Sequence, residues 1–393
     1  MLQFGYFLIL EDFKMKVIIT GGGTGGHLSV ARAFLEEFHK QGFECLFVGS
    51  LNGQDKAYFE SDSRLSKKFF LQTSGVVNQK GFKKLQSLWQ QAKALQNAIG
   101  ILRKEKQIDF VLSVGGYSAA PTAFGAILLG IPLFIHEQNA QIGKLNRILK
   151  PYAKIFFSSY LPSSPLRYYP ISQTFFTHAR VRKNIKNLLF MGGSQGARAI
   201  NNFALALAED IKQKGLRIYH QCGKAEFTRV LQEYLNLNLK IGILKENVES
   251  LNNIESQKIQ IGALEDLENV DVVLFGFSTQ MPEIFKKCDF AICRAGASSL
   301  WELCANGLPA LFVPYPYAAG NHQYYNAKFL EEKGLGFLCL EQDLFCEVLW
   351  DSLELLKEDK IAQISQDLQK ECSAQALKQM SDCIVAKLKS KNP

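Results

Sequence analysis

The stretch Lys16-Val17-Ile18-Ile19-Thr20-Gly21-Gly22-Gly23-Thr24-Gly25-Gly26-His27, resuming as Leu28-Ser29-Val30-Ala31-Arg32-Ala33-Phe34, decides the fold. A β-branched apolar run that breaks into glycines and resumes as an apolar-rich segment reads as strand, tight loop and helix. Glycine lets backbone come close to another group. The expected group is an anion or a sugar, because loop N–H groups and a helix N-terminus both favour negative charge. Gly21-x-Gly23-x-x-Gly26 also fits a dinucleotide fingerprint, which asks for an acid at the end of the second strand to hold ribose hydroxyls. That strand, Cys45-Leu46-Phe47-Val48, runs into Gly49-Ser50-Leu51-Asn52 with no acid. The nicotinamide or flavin reading is weakened accordingly.

Outward from this stretch the pattern repeats. Phe110-Val111-Leu112-Ser113-Val114 leads into Gly115-Gly116-Tyr117-Ser118, and Pro132-Leu133-Phe134-Ile135 into His136-Glu137-Gln138-Asn139. An irregular polar segment follows the second strand, and a long helix is expected from about Leu85 through Trp89 to Lys106. Strands alternating with helices predict a parallel, doubly wound α/β sheet with ligands at the strands' C-terminal ends. Tyr160 to Pro170, rich in proline, reads as a surface connection. Beyond it the opening motif recurs as Asn187-Leu188-Leu189-Phe190-Met191, Gly192-Gly193-Ser194-Gln195-Gly196-Ala197-Arg198 and a helix. Asp289 to Cys293 then leads into Arg294-Ala295-Gly296-Ala297-Ser298-Ser299. The expected organisation is two Rossmann-like α/β domains, 15–175 and 176–356, with a flexible insertion at 240–270. Helices at 357–393 could pack back on the first domain. Residues 1–14 read as an over-extended start or a disordered tail, since Glu11-Asp12 follows the apolar run and no cleavage site is visible.

With 393 residues the chain can hold two substantial cores, and 47% hydrophobic with 21% charged residues is ordinary for a globular protein. No apolar run has the length of a membrane span. A net charge of +8 points to an anionic partner without choosing among nucleic acid, phosphorylated metabolite and membrane. Nine cysteines without a C-x-x-C pair suit a reducing compartment.

Each candidate residue has an ordinary role beside the functional one. Ser194 could cap a helix or donate to a phosphate. Glu302, one turn into a helix, could serve the dipole or accept from vicinal ribose hydroxyls. His27 and Glu137 compete as proton acceptor, His27 being favoured because imidazole is a base near neutral pH and Glu137 could instead orient a partner. No D-x-D pair and no histidine or cysteine cluster has metal-ligand spacing, so no protein-held metal or cofactor is expected.

Jointly, Gly22 to His27, Gly115 to Ser118, His136 to Asn139, Gly192 to Arg198, Arg294 to Glu302, Gln323 and Asn326-Ala327 resemble the MurG family of bacterial N-acetylglucosaminyltransferases. The resemblance spans about 15 to 390. It implies the GT-B architecture, two Rossmann-like domains facing a cleft, and inverting transfer of GlcNAc from UDP-GlcNAc to undecaprenyl-diphospho-N-acetylmuramoyl-pentapeptide, without nucleic acid. It further implies a peripheral place on anionic lipids at the cytoplasmic side of the inner membrane. By resemblance, Thr24, Gly25 and Gly26 approach diphosphate and sugar, Tyr117 and Asn139 contact substrate, and Ser194 holds phosphate. Phe277 and Ser278 meet uracil, Gly296, Ala297, Ser298 and Ser299 lie under the nucleotide, Glu302 takes the ribose and Gln323 the GlcNAc hydroxyls. Arg180, in Thr177-His178-Ala179-Arg180 where the family usually has N-P-V-R, would meet the diphosphate. The alternative is a UDP-GlcNAc 2-epimerase-like enzyme of the same architecture. Val76, Val77, Phe82, Leu85 and Trp89 among Lys80, Lys83 and Lys84 form the expected membrane face.

Overall fold

The structure, a computed structural model, describes residues 15–75, 81–193, 196–251, 257–357 and 359–390, the side chains at 82–84 and 249–251 excepted. The chain divides into two compact units: residues up to 137, 144–157 and from 378 onward form the first, and 138–143 with 158–377 the second. Among the described residues no helix is long and apolar enough to cross a membrane.

The first unit carries β1 (Lys16–Thr20), β2 (Glu44–Ser50), β3 (Leu65–Leu71), β4 (Phe110–Ser113), β5 (Leu133–Glu137) and β6 (Ile155–Ser158), in the spatial order β3-β2-β1-β4-β5-β6. Its pairings are parallel, Val17 lying opposite both Cys45 and Phe110. The helices are α1 (Gly25–Lys40), α2 (Asp55–Phe59), α3 (Gly81–Lys104), α4 (Ala120–Leu128) and α5 (Lys144–Leu149). Both sheet faces are covered, which is why the central strands read as continuous apolar runs. On one face Ile18, Val48, Val111 and Ile135 meet Ala94, Ala98 and Leu102 of α3 and Ala123 and Ala126 of α4. On the other, Phe38 of α1 stands edge-on to Phe110, which stands edge-on to Phe134, with ring centroids 5.6 and 5.4 Å apart.

β3 corrects the reading of an irregular segment there. It is the edge strand, and its lysines look outward: Lys67 reaches Glu105 at 2.8 Å and Lys68 the Glu60 carbonyl at 2.9 Å. Charge on an edge strand blocks pairing with another chain and hides the strand from a hydrophobic pattern.

The second unit carries β7 (Asn187–Met191), β8 (Arg217–Gln221), β9 (Ile241–Leu244), β10 (Ile259–Gly262), β11 (Val272–Phe275), β12 (Phe290–Cys293), β13 (Ala310–Phe312) and β14 (Phe337–Leu338). Their order is β10-β9-β11-β8-β7-β12-β13-β14. Stretch 240–270 is therefore not an insertion: Ile241, Gly242 and Ile243 pair with Val272, Val273 and Leu274, and β10 extends the edge. The helices are α6 (Gln173–Thr177), α7 (Arg198–Gln213), α8 (Phe227–Asn236), α9 (Met281–Lys287), α10 (Ala297–Asn306), α11 (His322–Glu331), α12 (Cys346–Glu354), α13 (Lys360–Lys370) and α14 (Ala376–Lys389). From Lys378 onward α14 belongs to the first unit, where Met380 and Ile384 are buried and Ser381 Oγ donates to Gln41 Oε1 at 2.7 Å.

The segment expected on the surface, 160–170, exposes Pro162, Ser163, Pro165, Arg167 and Tyr168, but Tyr169 within it is buried and stacks on Trp301 at 5.9 Å. Beyond it lies a fully buried cation, Arg182. Its guanidinium donates to the carbonyls of Cys288 (3.2 Å), Arg180 (2.8 Å), Phe285 (2.8 Å) and Asn306, and to Asn306 Oδ1. All five N–H donors of an arginine are thus matched. Burial pushes its pKa down to about 9, so it remains a cation at neutral pH. Its charge sits where α9 and α10 both end, which offsets the negative ends of two helix dipoles. Arg182→Ala would leave these carbonyls without a donor, and a loss of about 3 kcal/mol or more is expected in urea unfolding. Arg182→Lys, with too few donors for the cage, should recover only part.

Candidate active site

In the first unit the loops after β1 and β4 press on each other. Gly22 N–H donates to the Gly115 carbonyl at 3.1 Å. A Cβ on Gly116 would collide with the Gly22 carbonyl, and one on Gly22 would lie 2.5 Å from Asp55 Oδ2. The groups these glycines approach are therefore neighbouring backbone and a buried acid, where the sequence led us to expect an anionic ligand. The part of the loop left open begins at Thr24, the exposed N-cap of α1, followed by Gly25 and Gly26 at the positive end of its dipole. Tyr117 lies over Gly23 and donates its hydroxyl to the Asn52 carbonyl at 2.8 Å.

His27, half-buried in the first turn of α1, has Nδ1 2.9 Å from Thr24 Oγ1. Its Nε2 edge borders Gly115, as does the amide of Asn146. That amide donates to Glu137 Oε2 at 2.9 Å, and Glu137, the last residue of β5, is only 2% exposed. The two proton-acceptor candidates thus converge on Gly115. Asn146 carried no sequence signal. His136 is fully buried beside Phe34, and burial, with the neighbouring His27, pushes its pKa down to about 3, leaving it neutral.

In the second unit the β7 loop is tightened by Gly196 N–H to the Gly193 carbonyl at 2.9 Å. Gly196 runs against the Cys222 carbonyl, leaving a Cβ no room. Ser194 and Gln195 lie outside the described residues. The Cys222 carbonyl also accepts from Asn201 Nδ2 at 3.0 Å, so Asn201 Oδ1 accepts from His220 Nε2–H at 3.0 Å and His220 Nδ1 accepts from the Tyr234 hydroxyl at 2.8 Å. Burial holds His220 neutral, its pKa near 3, as this chain requires.

At the end of β11, Asn247 accepts from the N–H groups of Gly276 (2.9 Å) and Phe277 (3.1 Å) and donates to the Phe277 carbonyl (3.0 Å). The backbone of Phe277 is thereby occupied. Next to it is buried Ser278, whose hydroxyl accepts from Gln280 N–H at 3.0 Å. Lys224 stands 5.8 Å over the Phe277 ring.

After β12, Gly296 caps α10 and Ala297, Ser298 and Ser299 form its first turn, with Ser298 Oγ 3.0 Å from the Tyr169 hydroxyl. Glu302 follows, half-buried, with no hydrogen-bond or ion-pair partner among the described residues, and burial pushes its pKa up to about 7. Gln323, in the first turn of α11, accepts the Tyr315 N–H through Oε1 at 2.9 Å, which leaves its amide N–H groups to donate. Asn326 is fully buried and joins the Ala140 N–H (2.8 Å), Asn139 Oδ1 (3.2 Å) and the Ala295 carbonyl (3.1 Å).

Arg180 is a correction. It donates to the Lys286 and Cys288 carbonyls and to Asp289 Oδ1 at 2.5 to 2.8 Å, and Asp289 in turn accepts the N–H groups of Lys186 and Asn187. These contacts gather at the N-terminal ends of β7 and β12, opposite the glycine loops, so Arg180 leaves the set of diphosphate contacts.

Residues 17–158 match the glycosyltransferase family 28 N-terminal domain and residues 187–384 the family's C-terminal domain. A Wolinella succinogenes protein is 45% identical over 372 residues, 95% of this chain and 100% of its own length. It is the UDP-N-acetylglucosamine--N-acetylmuramyl-(pentapeptide) pyrophosphoryl-undecaprenol N-acetylglucosamine transferase. Among solved structures, Acinetobacter baumannii MurG superposes with a TM-score of 0.70 at 26% identity, covering 95% of this chain and 99% of that one. A Neisseria meningitidis UDP-GlcNAc 2-epimerase shares the fold at 13% identity, with a TM-score of 0.58 and coverage of 96% and 100%. With the glycine loops, the Glu302 helix and this similarity along nearly the whole chain, the protein belongs to glycosyltransferase family 28 and, within it, to the MurG family.

Proposed function

We propose that this protein transfers GlcNAc from UDP-GlcNAc to the 4-hydroxyl of undecaprenyl-diphospho-N-acetylmuramoyl-pentapeptide, forming a β-1,4 bond with inversion. The observation that carries the reading is Glu302: a carboxyl desolvated at a cost to the fold, beyond the loop at the end of β12, where a doubly wound sheet binds nucleotides. Its two oxygens suit the ribose hydroxyls. Ser278 offers backbone to uracil, since Asn247 already takes the Phe277 backbone. The Gly192–Gly196 loop with Ser194 and the first turns of α7 and α10, including Gly296 to Ser299, meet the diphosphate and its developing charge. Gln323 and Asn139 read the sugar, and Thr24 to Gly26 and Tyr117 the reacting groups.

The acceptor's 4-oxygen attacks the anomeric carbon while the carbon–oxygen bond to the diphosphate breaks and UDP leaves. The hydroxyl proton passes to His27 Nε2. In this role Nδ1 carries the proton and donates to Thr24 Oγ1, 2.9 Å away, which leaves the lone pair on Nε2. Glu137, nearly inaccessible and held by Asn146, orients this corner.

The protein acts as a peripheral enzyme on the cytoplasmic face of the inner membrane. α3 supports this by exposing Leu85 (65%), Leu88 (48%) and Trp89 (65%), with Lys93 5.5 Å over the Trp89 ring. Val76, Val77 and Lys80, and the side chains of Phe82, Lys83 and Lys84, lie outside the described residues. Apolar insertion together with lysines suits anionic headgroups.

The deciding experiment is transfer of labelled GlcNAc to the lipid-linked acceptor. Turnover of UDP-GlcNAc alone, as an epimerase would give, defeats the reading. His27→Ala should lower kcat by about a hundredfold to ten-thousandfold with UDP-GlcNAc affinity intact. If Glu137→Gln does so and His27→Ala mainly raises KM, the roles are exchanged. Glu302→Ala should weaken UDP-GlcNAc binding by about 1.5 to 3 kcal/mol in calorimetry.

Glu302 also predicts a pH signature. A carboxyl whose folded pKa is raised from 4.5 to about 7 costs stability as pH rises through that window. Glu302→Gln should stabilise the ligand-free protein at pH 8 by up to about 3 kcal/mol, and by little at pH 4. Equal effects at both pH values would refute the burial argument. Vesicle flotation tests the membrane face: binding to anionic vesicles should fall with salt, and replacing Leu85, Leu88 and Trp89 with serine should abolish it.

A further inference from the structure

Asp55 lies at the start of α2, past the end of β2, in a segment to which the sequence assigned no role. It is fully buried. Its Oδ1 accepts the Gly23 N–H at 2.6 Å and its Oδ2 the Ser50 N–H at 2.8 Å, tying the β1 loop to the end of β2. Around it, Ser50 Oγ accepts from Asn52 N–H (2.9 Å) and Thr73 Oγ1 (2.7 Å), Asn52 Nδ2 donates to the Thr73 carbonyl (2.6 Å), and Tyr117 closes over Asn52. In a dinucleotide-binding sheet the acid at this strand end faces outward to a ribose. Here it faces inward, onto the strand-end N–H of Ser50 and onto the Gly23 N–H of the glycine loop, a group of the kind that would otherwise help cradle a phosphate. Burial raises its pKa while the two N–H groups oppose that, as expected for an anion enclosed by the fold.

The loop it holds needs holding. Gly22 and Gly23 adopt φ of +155° and +86°, conformations that glycine permits without favouring one of them. Thr24 and its partner His27 follow directly.

We propose that Asp55 is a positioning residue, an internal anion that occupies the first glycine loop, fixes Gly22 and Gly23, and so places Thr24 and His27 for the reaction. The role assigned to His27 rests on the transferase reading. The loop accordingly presents its helix end, Thr24 to Gly26, to substrate, and not the Gly23 N–H.

The test uses the full chain with Asp55→Ala and Asp55→Asn, measuring kcat, acceptor KM, UDP-GlcNAc affinity by calorimetry and thermal unfolding. With a misplaced base, kcat of Asp55→Ala should fall about a hundredfold. UDP-GlcNAc affinity, resting mainly on Glu302, Ser194 and Gln323, should fall far less than kcat. Sodium formate, a carboxylate small enough for the vacated space, should restore part of the lost kcat in Asp55→Ala and none in His27→Ala. Asp55→Asn keeps the volume and one acceptor oxygen and should be impaired without loss of fold, which keeps the test open if the alanine variant does not fold. Wild-type kcat in a folded Asp55→Asn, or no response of a folded Asp55→Ala to formate, overturns the proposal. Absence of GlcNAc transfer by the wild-type protein would instead overturn the transferase reading.

Discussion

The first unit depends on backbone meeting backbone. Where β1 and β4 end, Gly22 donates to the Gly115 carbonyl and its own carbonyl lies where any Cβ at Gly116 would have to go. A side chain there would force the loops apart, and Asp55, Tyr117 and His27 all pack against them. The second unit repeats the device with other atoms, Gly196 against the Cys222 carbonyl. Glycine-rich motifs at strand ends are commonly read as space for ligand. Here much of that space is filled by the protein, and what stays open is the helix N-termini, where the dipole and the first-turn N–H groups are.

The second unit separates what it settles internally from what it leaves open. At the C-terminal end of α10 the cation of Arg182 and the αL cap at Gly307 satisfy the carbonyls. At the N-terminal end Gly296 caps without a side chain, and Glu302 stands desolvated on the same helix. The network from Tyr234 through His220 and Asn201 to Cys222 is neutral throughout, so it fixes the β7 and β8 loops without adding a charge that would compete with a diphosphate. Protonation of His220 would turn Nδ1 into a donor and leave the Tyr234 hydroxyl to accept, with its own proton unmatched. Neutral support of this kind suits the anion site proposed above it.

Central strands and glycine loops were legible in the sequence because burial on both faces imposes composition and tight turns impose glycine. What escaped was set by single residues or by edges. β3 was hidden by Lys67 and Lys68, which an edge tolerates and a central strand does not. β9 and β10 were hidden by the polar residues between them. The connection around Tyr169 is indeed largely exposed, but its proline-rich surroundings hid the one aromatic ring that stacks on Trp301. Asp55, Asn146 and Asn247 act through individual hydrogen bonds to backbone or to one carboxylate, and an isolated polar residue in a loop has no period to betray it. Arg180 and Arg182, two positions apart, both fold against the N-terminal ends of strands, which motif spacing alone could not convey.

The corner at Gly115 favours a division of labour between its two candidate bases. A general base must reach the hydroxyl it deprotonates. Glu137, at 2% exposure and held by Asn146, cannot meet a bulky lipid-linked sugar without opening β5 from its neighbours. His27 is more accessible, and it stands beside exposed Thr24 in the first turn of α1. It takes up a proton most readily if no second cation is near, and burial keeps adjacent His136 neutral. On the role proposed for His27, Glu137, reached through Asn146, would favour an imidazolium by Coulomb attraction from behind. An acid hidden from substrate can thus lower the barrier without touching a reacting atom.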